Sequence, residues 1–209
     1  MKKYLTESIG TFFLVLTFGL AVSSGTAVAP IAIGCALMVM VYMGGHVSGA
    51  HYNPAVSTAM LLRGELSSSD YGPYVIAQLI GSLLAGLVTF IATGATVAPA
   101  PGAEASTIAA LLVEILFTFA LVLVIFNVAV SKGTKGNSFY GLAIGFTVLA
   151  GAFAGGPISG GAFNPAVGVG MVLVDVVLGG GSIAPIWLYI VGPIVGGILA
   201  MYVFKFQED

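Results

Sequence analysis

The sequence predicts an all-α membrane protein: six transmembrane helices plus two re-entrant half-helices, arranged as an inverted three-span repeat. Three observations lead there. The 209 residues are 58% hydrophobic and only 7% charged, with mean hydropathy +1.10, whereas a soluble domain carries roughly a quarter charged residues. Asn-Pro-Ala occurs twice, at Asn53-Pro54-Ala55 and Asn164-Pro165-Ala166, each time between a Ser/Gly-rich stretch and a short apolar run. The two halves of the chain also match each other piecewise.

A hydrocarbon core about 30 Å thick takes roughly 20 helical residues. The apolar stretches then predict spans at 4–23, 30–45, 74–93, 107–130, 139–154 and 185–204, the second and fifth being short. Lys2 and Lys3 before an apolar run could also mark a signal peptide. Glu7 interrupts that run and the segment has an internal counterpart, so it is read as the first span. Stretches 53–62 and 164–173 would form helices only about 15 Å long, half the core. Proline suits a helix's first turn because its missing N–H has no intrahelical partner there, and a preceding asparagine can cap that turn. The 30 glycines suit close helix packing where lipid supplies no hydrophobic drive.

The halves run over 1–98 and 105–209, within a single membrane domain of 1–209. Glu7-x-x-x-Thr11-Phe12-x-Leu14-Val15-Leu16 matches Glu114-x-x-x-Thr118-Phe119-x-Leu121-Val122-Leu123. The segment from Gly44 to Val56 matches that from Gly155 to Val167, and Tyr74-x-x-Ala77-Gln78-x-x-Gly81 matches Tyr189-x-x-Gly192-Pro193-x-x-Gly196. Three spans per half is odd, so the second half enters the bilayer in the opposite sense. The broken helices of such repeats lie at the midplane, where irregular backbone is tolerated only if it lines a cavity. The basic residues Lys2, Lys3, Arg63, Lys132, Lys135 and Lys205 then share one face, which predicts cytoplasmic termini.

Opposed half-helices point their N-termini, each with about half a positive charge, at one another. Asn53 and Asn164 would add amide donors at the meeting point. Such a constriction can hydrogen-bond the oxygen of a neutral solute while repelling cations and protons. The carbonyls of Gly49, Ala50, His51 and Tyr52, and of Gly160, Gly161, Ala162 and Phe163, would supply acceptors on either side.

These motifs resemble the paired signature of the aquaporin, or major intrinsic protein, family, and the resemblance covers nearly the whole chain. It implies six tilted helices and two half-helices around one pore, a homotetramer with a pore per subunit, and passage of water or small neutral solutes. Carried over by spacing from the motifs, the family's selectivity filter falls at Ile33, Ala152, Gly161 and Val167. Most members have an arginine where Val167 stands. An aliphatic residue there resembles some plant tonoplast members and implies a wider, less polar constriction that admits ammonia, urea, hydrogen peroxide or glycerol. Gly168 replaces an acidic residue of many glycerol-conducting members, so glycerol is not favoured over the others.

Glu7 and Glu114 are the acidic residues within predicted spans, and an intramembrane carboxyl is a functional candidate by default. The resemblance implies that each accepts hydrogen bonds from a re-entrant loop. His46 and His51 are five apart, which does not suit a helical metal pair; His51 is expected beside the loop and His46 near the cytoplasmic mouth. Tyr74, Tyr189 and Trp187 read as interfacial anchors. Ser48 and Ser159 lack a His–Asp set that would make a nucleophile. No catalytic residue, metal, cofactor or nucleic-acid partner is expected, and Cys35 cannot form an internal disulfide. The reading is a multi-pass channel, placed in the plasma membrane. A secondary transporter built on inverted repeats is the alternative, and it would need a coupling carboxylate at the midplane.

Overall fold

The computed structural model describes residues 1–208. Its helices are α1 (Lys2–Ser23), α2 (Ala29–Ser48), α3 (Pro54–Arg63), α4 (Ser68–Thr93), α5 (Thr107–Ile125), α6 (Tyr140–Ser159), α7 (Pro165–Val174) and α8 (Ile186–Glu208). The ends of α5 and α7 loosen into π-helical turns at Phe126–Val130 and Asp175–Gly179. Six helices, counting α5 with its π turn, are long and apolar enough to cross a membrane. The two ten-residue helices, α3 and α7, begin at the prolines of the Asn-Pro-Ala motifs.

Each half repeats one packing scheme. α1 packs on α2 and α4, α5 packs on α6 and α8, and α2 meets α6 across the halves. The short helices cross over: α3 lies against α8, and α7 against α4. Ser82 of α4 donates to the Ala166 carbonyl at 2.6 Å. At the matched position in α8, a Cβ on Gly197 would stand 2.9 Å from the Ala55 carbonyl oxygen. Each short helix is therefore held by the third span of the other half.

The second and fifth spans are longer than expected. The Gly-rich approaches to the motifs are helical, carrying α2 to Ser48 and α6 to Ser159. Glycine costs a helix about 1 kcal/mol relative to alanine, and close packing offsets it here. A Cβ on Gly44 would fall on the Tyr52 hydroxyl, and one on Gly155 would lie 2.6 Å from Val113. Both helices end where glycine takes the left-handed conformation, Gly49 at φ 83° and Gly160 at φ 90°. α4 starts earlier than the apolar stretch, because the Ser67 side chain caps it by accepting from the Asp70 N–H. Lys3 and Tyr4 then bind the Asp70 carboxylate at 2.6 and 2.7 Å, pinning the start of α1 to α4.

Gly81 and Gly196 are matched residues where α4 crosses α1 and α8 crosses α5. A Cβ on either would stand 2.3 Å from a backbone carbonyl oxygen, that of Ser8 or of Ile115. Backbone cannot yield as a side chain does. Gly81→Ala and Gly196→Ala are each expected to destabilise the protein by about 1–3 kcal/mol. Gly72→Ala, which meets nothing within 4 Å, is the neutral control; thermal unfolding in detergent compares the three.

Candidate functional site

Each half-helix is preceded by a loop that makes no regular backbone pairing. Ala50, Tyr52 and Phe163 take positive φ (51°, 49° and 48°), as does Gly161 (64°). A non-glycine residue held there costs about 1–3 kcal/mol and persists only where its surroundings fix it. The surroundings are two carboxylates, both fully buried. Glu7 Oε1 accepts from Ser48 Oγ (2.7 Å) and the His51 N–H (3.0 Å), and Oε2 from the Tyr52 N–H (2.7 Å) and Gln78 Nε2 (2.8 Å). Glu114 takes Ser159 Oγ (2.8 Å) and the N–H groups of Ala162 (3.1 Å) and Phe163 (2.7 Å). Pro193 stands where Gln78 would recur, so the second carboxylate has three donors against four in the first.

The motif asparagines work at both ends of their amides. Asn53 Oδ1 caps α3 by accepting from Ala55 N–H at 2.8 Å, and Asn164 Oδ1 caps α7 through Ala166 N–H at 2.9 Å. Asn53 Nδ2 donates to the Phe163 carbonyl and Asn164 Nδ2 to the Tyr52 carbonyl, both at 2.9 Å. The helix N-termini thus meet, and each is tied to the opposite loop. An amide NH2 has two hydrogens, so one N–H per asparagine remains for a passing molecule.

The meeting point borders a narrow cavity of about 30 Å³, room for about two waters. Its lining is built of repeat mates: Leu14 with Leu121, Phe18 with Ile125, Ile33 with Ile144, Leu37 with Val148, Val56 with Val167, and the loop segments 50–53 with 161–164. The walls are aliphatic and aromatic; the lining residues with polar side chains are His51, Asn53, Asn164 and Tyr52, whose hydroxyl is spent on the Met40 carbonyl at 2.9 Å. At one end the cavity shares Ala50, His51, Ile125 and Ile144 with a vestibule of about 880 Å³. Lys3, His46, Asp70 and segment 128–137 line that vestibule too.

Of the filter positions, Ile33, Gly161 and Val167 line the cavity. Ala152 lies one turn beyond Val148 on α6, outside that lining, and its mate Val41 lines the vestibule. Gly168 has no room for an acidic side chain, since a Cβ there would stand 2.2 Å from Tyr189 Cβ.

Three expectations are corrected. Tyr74 and Tyr189 are buried, not interfacial: their hydroxyls donate to the Ser48 and Ser159 carbonyls at 2.7 and 2.6 Å, satisfying acceptors left free where α2 and α6 end. The Tyr52 and Phe163 carbonyls are not fully free acceptors: each already accepts one asparagine N–H, which leaves it a single lone pair. The carbonyls of Gly49, Ala50, His51, Gly160, Gly161 and Ala162 take no donor from the described residues. The asparagine donors are half committed to holding the two loops together. Trp187 is partly exposed near the start of α8, and His46 is exposed at the vestibule. Gln78 and Ser57 escaped sequence reasoning as site residues. Gln78 was visible within a repeat match, but one polar residue facing a proline gives no hint of its partners.

The sequence model of the family described as Major intrinsic protein matches residues 1–204. Aquaporin NIP1-1 of Zea mays is 36% identical over 215 residues, covering 98% of this chain and 74% of that protein. Glycerol uptake facilitator protein-like 6 of Lactiplantibacillus plantarum is 36% identical over 216 residues, covering 97% and 96%. Aquaporin TIP2-3 of Arabidopsis thaliana is 35% identical, covering 98% and 86%. Among solved structures, the aquaglyceroporin from Plasmodium falciparum superposes with TM-score 0.84 at 21% identity, over 98% of this chain and 95% of that one.

A buried donor left without its acceptor costs about 1–3 kcal/mol. Glu7→Ala and Glu114→Ala should both lower the unfolding temperature in detergent. Glu7→Ala should lower it further, because four donors lose their acceptor there and three at Glu114.

Proposed function

The chain belongs to the major intrinsic protein family, and from that premise we propose how this channel selects its solute. It is an integral, multi-pass membrane protein and a passive channel for water and small uncharged solutes. The cavity between the helix N-termini carries the reading, since a solute there meets one free N–H from Asn53, one from Asn164, the His51 side chain toward the vestibule, and otherwise largely apolar walls. The six unpaired carbonyls of the loops supply acceptors to either side, a ladder on which a neutral molecule exchanges its hydration step by step. A cation would face two half-positive helix ends in a cavity that no acidic residue lines.

The constriction of this reading is set by Ile33, Ala152, Gly161 and Val167. None is charged or aromatic, so size rather than matched hydrogen bonds discriminates, and urea, hydrogen peroxide, ammonia or glycerol pass with water. The basic residues face the cytoplasm together with both termini, in the plasma membrane, and the subunits assemble as a homotetramer. An ion-coupled transporter would need a carboxylate free to bind its ion at the midplane. Both buried carboxylates are instead engaged by the re-entrant loops and the helices beside them, with four donors at Glu7 and three at Glu114.

Stopped-flow swelling and shrinking of proteoliposomes tests the channel; permeability to water and every neutral solute no higher than in empty liposomes would overturn it. Val167→Arg narrows the ring and adds donors. It is expected to reduce urea and glycerol permeation severalfold more than water permeation. Equal loss for all solutes would show that Val167 does not set the constriction.

A further inference from the structure

The lining of the central cavity is matched position for position between the halves, and two pairs differ in polarity: Tyr52 against Phe163, where the Tyr52 hydroxyl is spent on the Met40 carbonyl at 2.9 Å, and His51 in the first loop against Ala162 in the second. His51 is also the one lining side chain that titrates near neutral pH in its unperturbed form. A titratable imidazole beside a file of water is a proton relay unless something prevents it.

The neighbours of the ring decide which atom carries the hydrogen. An amide oxygen turned toward the Glu7 carboxylate would set acceptor against acceptor, so Gln78 faces it with Nε2 at 2.8 Å, and its Oε1 is left without a protein donor. The second hydrogen of that amide goes to Ser57 Oγ at 2.9 Å. Ser57, fully buried, then has one acceptor for its own hydrogen, His51 Nδ1 at 3.0 Å. Nδ1 is thereby a hydrogen-bond acceptor, and the neutral ring carries its hydrogen on Nε2. That atom has no protein partner; it lies on the side of Gly49, which lines the vestibule, and His51 borders both the cavity and the vestibule. The titratable groups around the ring are Glu7, reached through Gln78, and Tyr74, whose ring centroid lies 5.1 Å away.

We propose that Ser57 and Gln78 are positioning residues that lock His51 as the Nε2–H tautomer, so that the imidazole offers the lumen a donor and no basic nitrogen. It then hydrogen-bonds a solute oxygen or nitrogen as a third donor beside Asn53 and Asn164, and it cannot take a proton from the water file. The second half needs no such lock, because Ala162, Gly168 and Pro193 stand at the positions of His51, Ser57 and Gln78. The proposal rests on the channel reading above.

Untagged protein labelled with ¹⁵N-histidine in a His46→Gln background gives one imidazole to observe by NMR in lipid bilayers. The expected wild-type signature is a neutral ring protonated at Nε2. Ser57→Ala is expected to shift the tautomer ratio toward Nδ1–H by roughly threefold to tenfold, the equivalent of one net hydrogen bond. The same variant should raise proton flux relative to water flux in proteoliposomes, and Ser57→Thr, which keeps the hydroxyl, should restore both readouts. A wild-type ring protonated at Nδ1, or a Ser57→Ala protein with tautomer ratio and proton-to-water ratio unchanged, would overturn the proposal. Absence of water permeation in the wild type would instead sink the channel reading, while the NMR signature still decides the tautomer.

Discussion

Two hydrogen bonds, from Asn53 Nδ2 to the Phe163 carbonyl and from Asn164 Nδ2 to the Tyr52 carbonyl, are the point on which the architecture closes. Each half-helix ends mid-protein with unpaired N–H groups, and two like helix dipoles abut there. Left alone they would repel. The asparagines cap their own helices with Oδ1 and grip the opposite loop with Nδ2, which converts a repulsive meeting into a cross-linked one. A loop so gripped must hold its carbonyl at a fixed place, and that requires the positive φ at Tyr52 and Phe163. The strain is tolerated because Glu7 and Glu114 hold the N–H groups of those same two residues at 2.7 Å. Carboxylate, strained loop and asparagine thus form one mechanical unit, built twice.

The order of these dependencies explains what could be read from the chain. Hydropathy marks the six spans because lipid demands it, and the paired motifs mark the two helix starts because proline and asparagine have local reasons to stand there. The ends of α2 and α6 were not legible. Glycine's helix propensity argues for a break at Gly44-Gly45 and Gly155-Gly156, and only the tertiary neighbours Tyr52 and Val113 show why glycine is needed in a continuing helix. Tyr74 and Tyr189 misled for a similar reason. An aromatic residue near a span end suits the headgroup region equally well, and nothing local reveals a carbonyl waiting inside the protein.

The two halves diverge where the frame allows it. The elements of the unit persist in both: carboxylate, serine, asparagine and tyrosine hydroxyl make the same bonds in each. What differs is the second layer. Gln78, Ser57 and His51 form a continuous polar chain from the Glu7 carboxylate to the lumen, whereas the other half fills the same positions with proline, glycine and alanine. Packing accounts for part of this, since Tyr189 occupies the space that a side chain at Gly168 would need.

That divergence gives the lumen a direction. In one half the route past the asparagines is polar, with His51 between cavity and vestibule; in the other, the matched positions and Val167 leave an aliphatic wall. A solute of either origin must therefore shed hydration against aliphatic surface at one end, where an unmade hydrogen bond is costly. At the other end side-chain donors replace part of that hydration. For a passive pore this asymmetry cannot bias net flux. It instead sets where the barrier lies, and a barrier of apolar walls discriminates by how strongly a molecule is hydrated as well as by how wide it is.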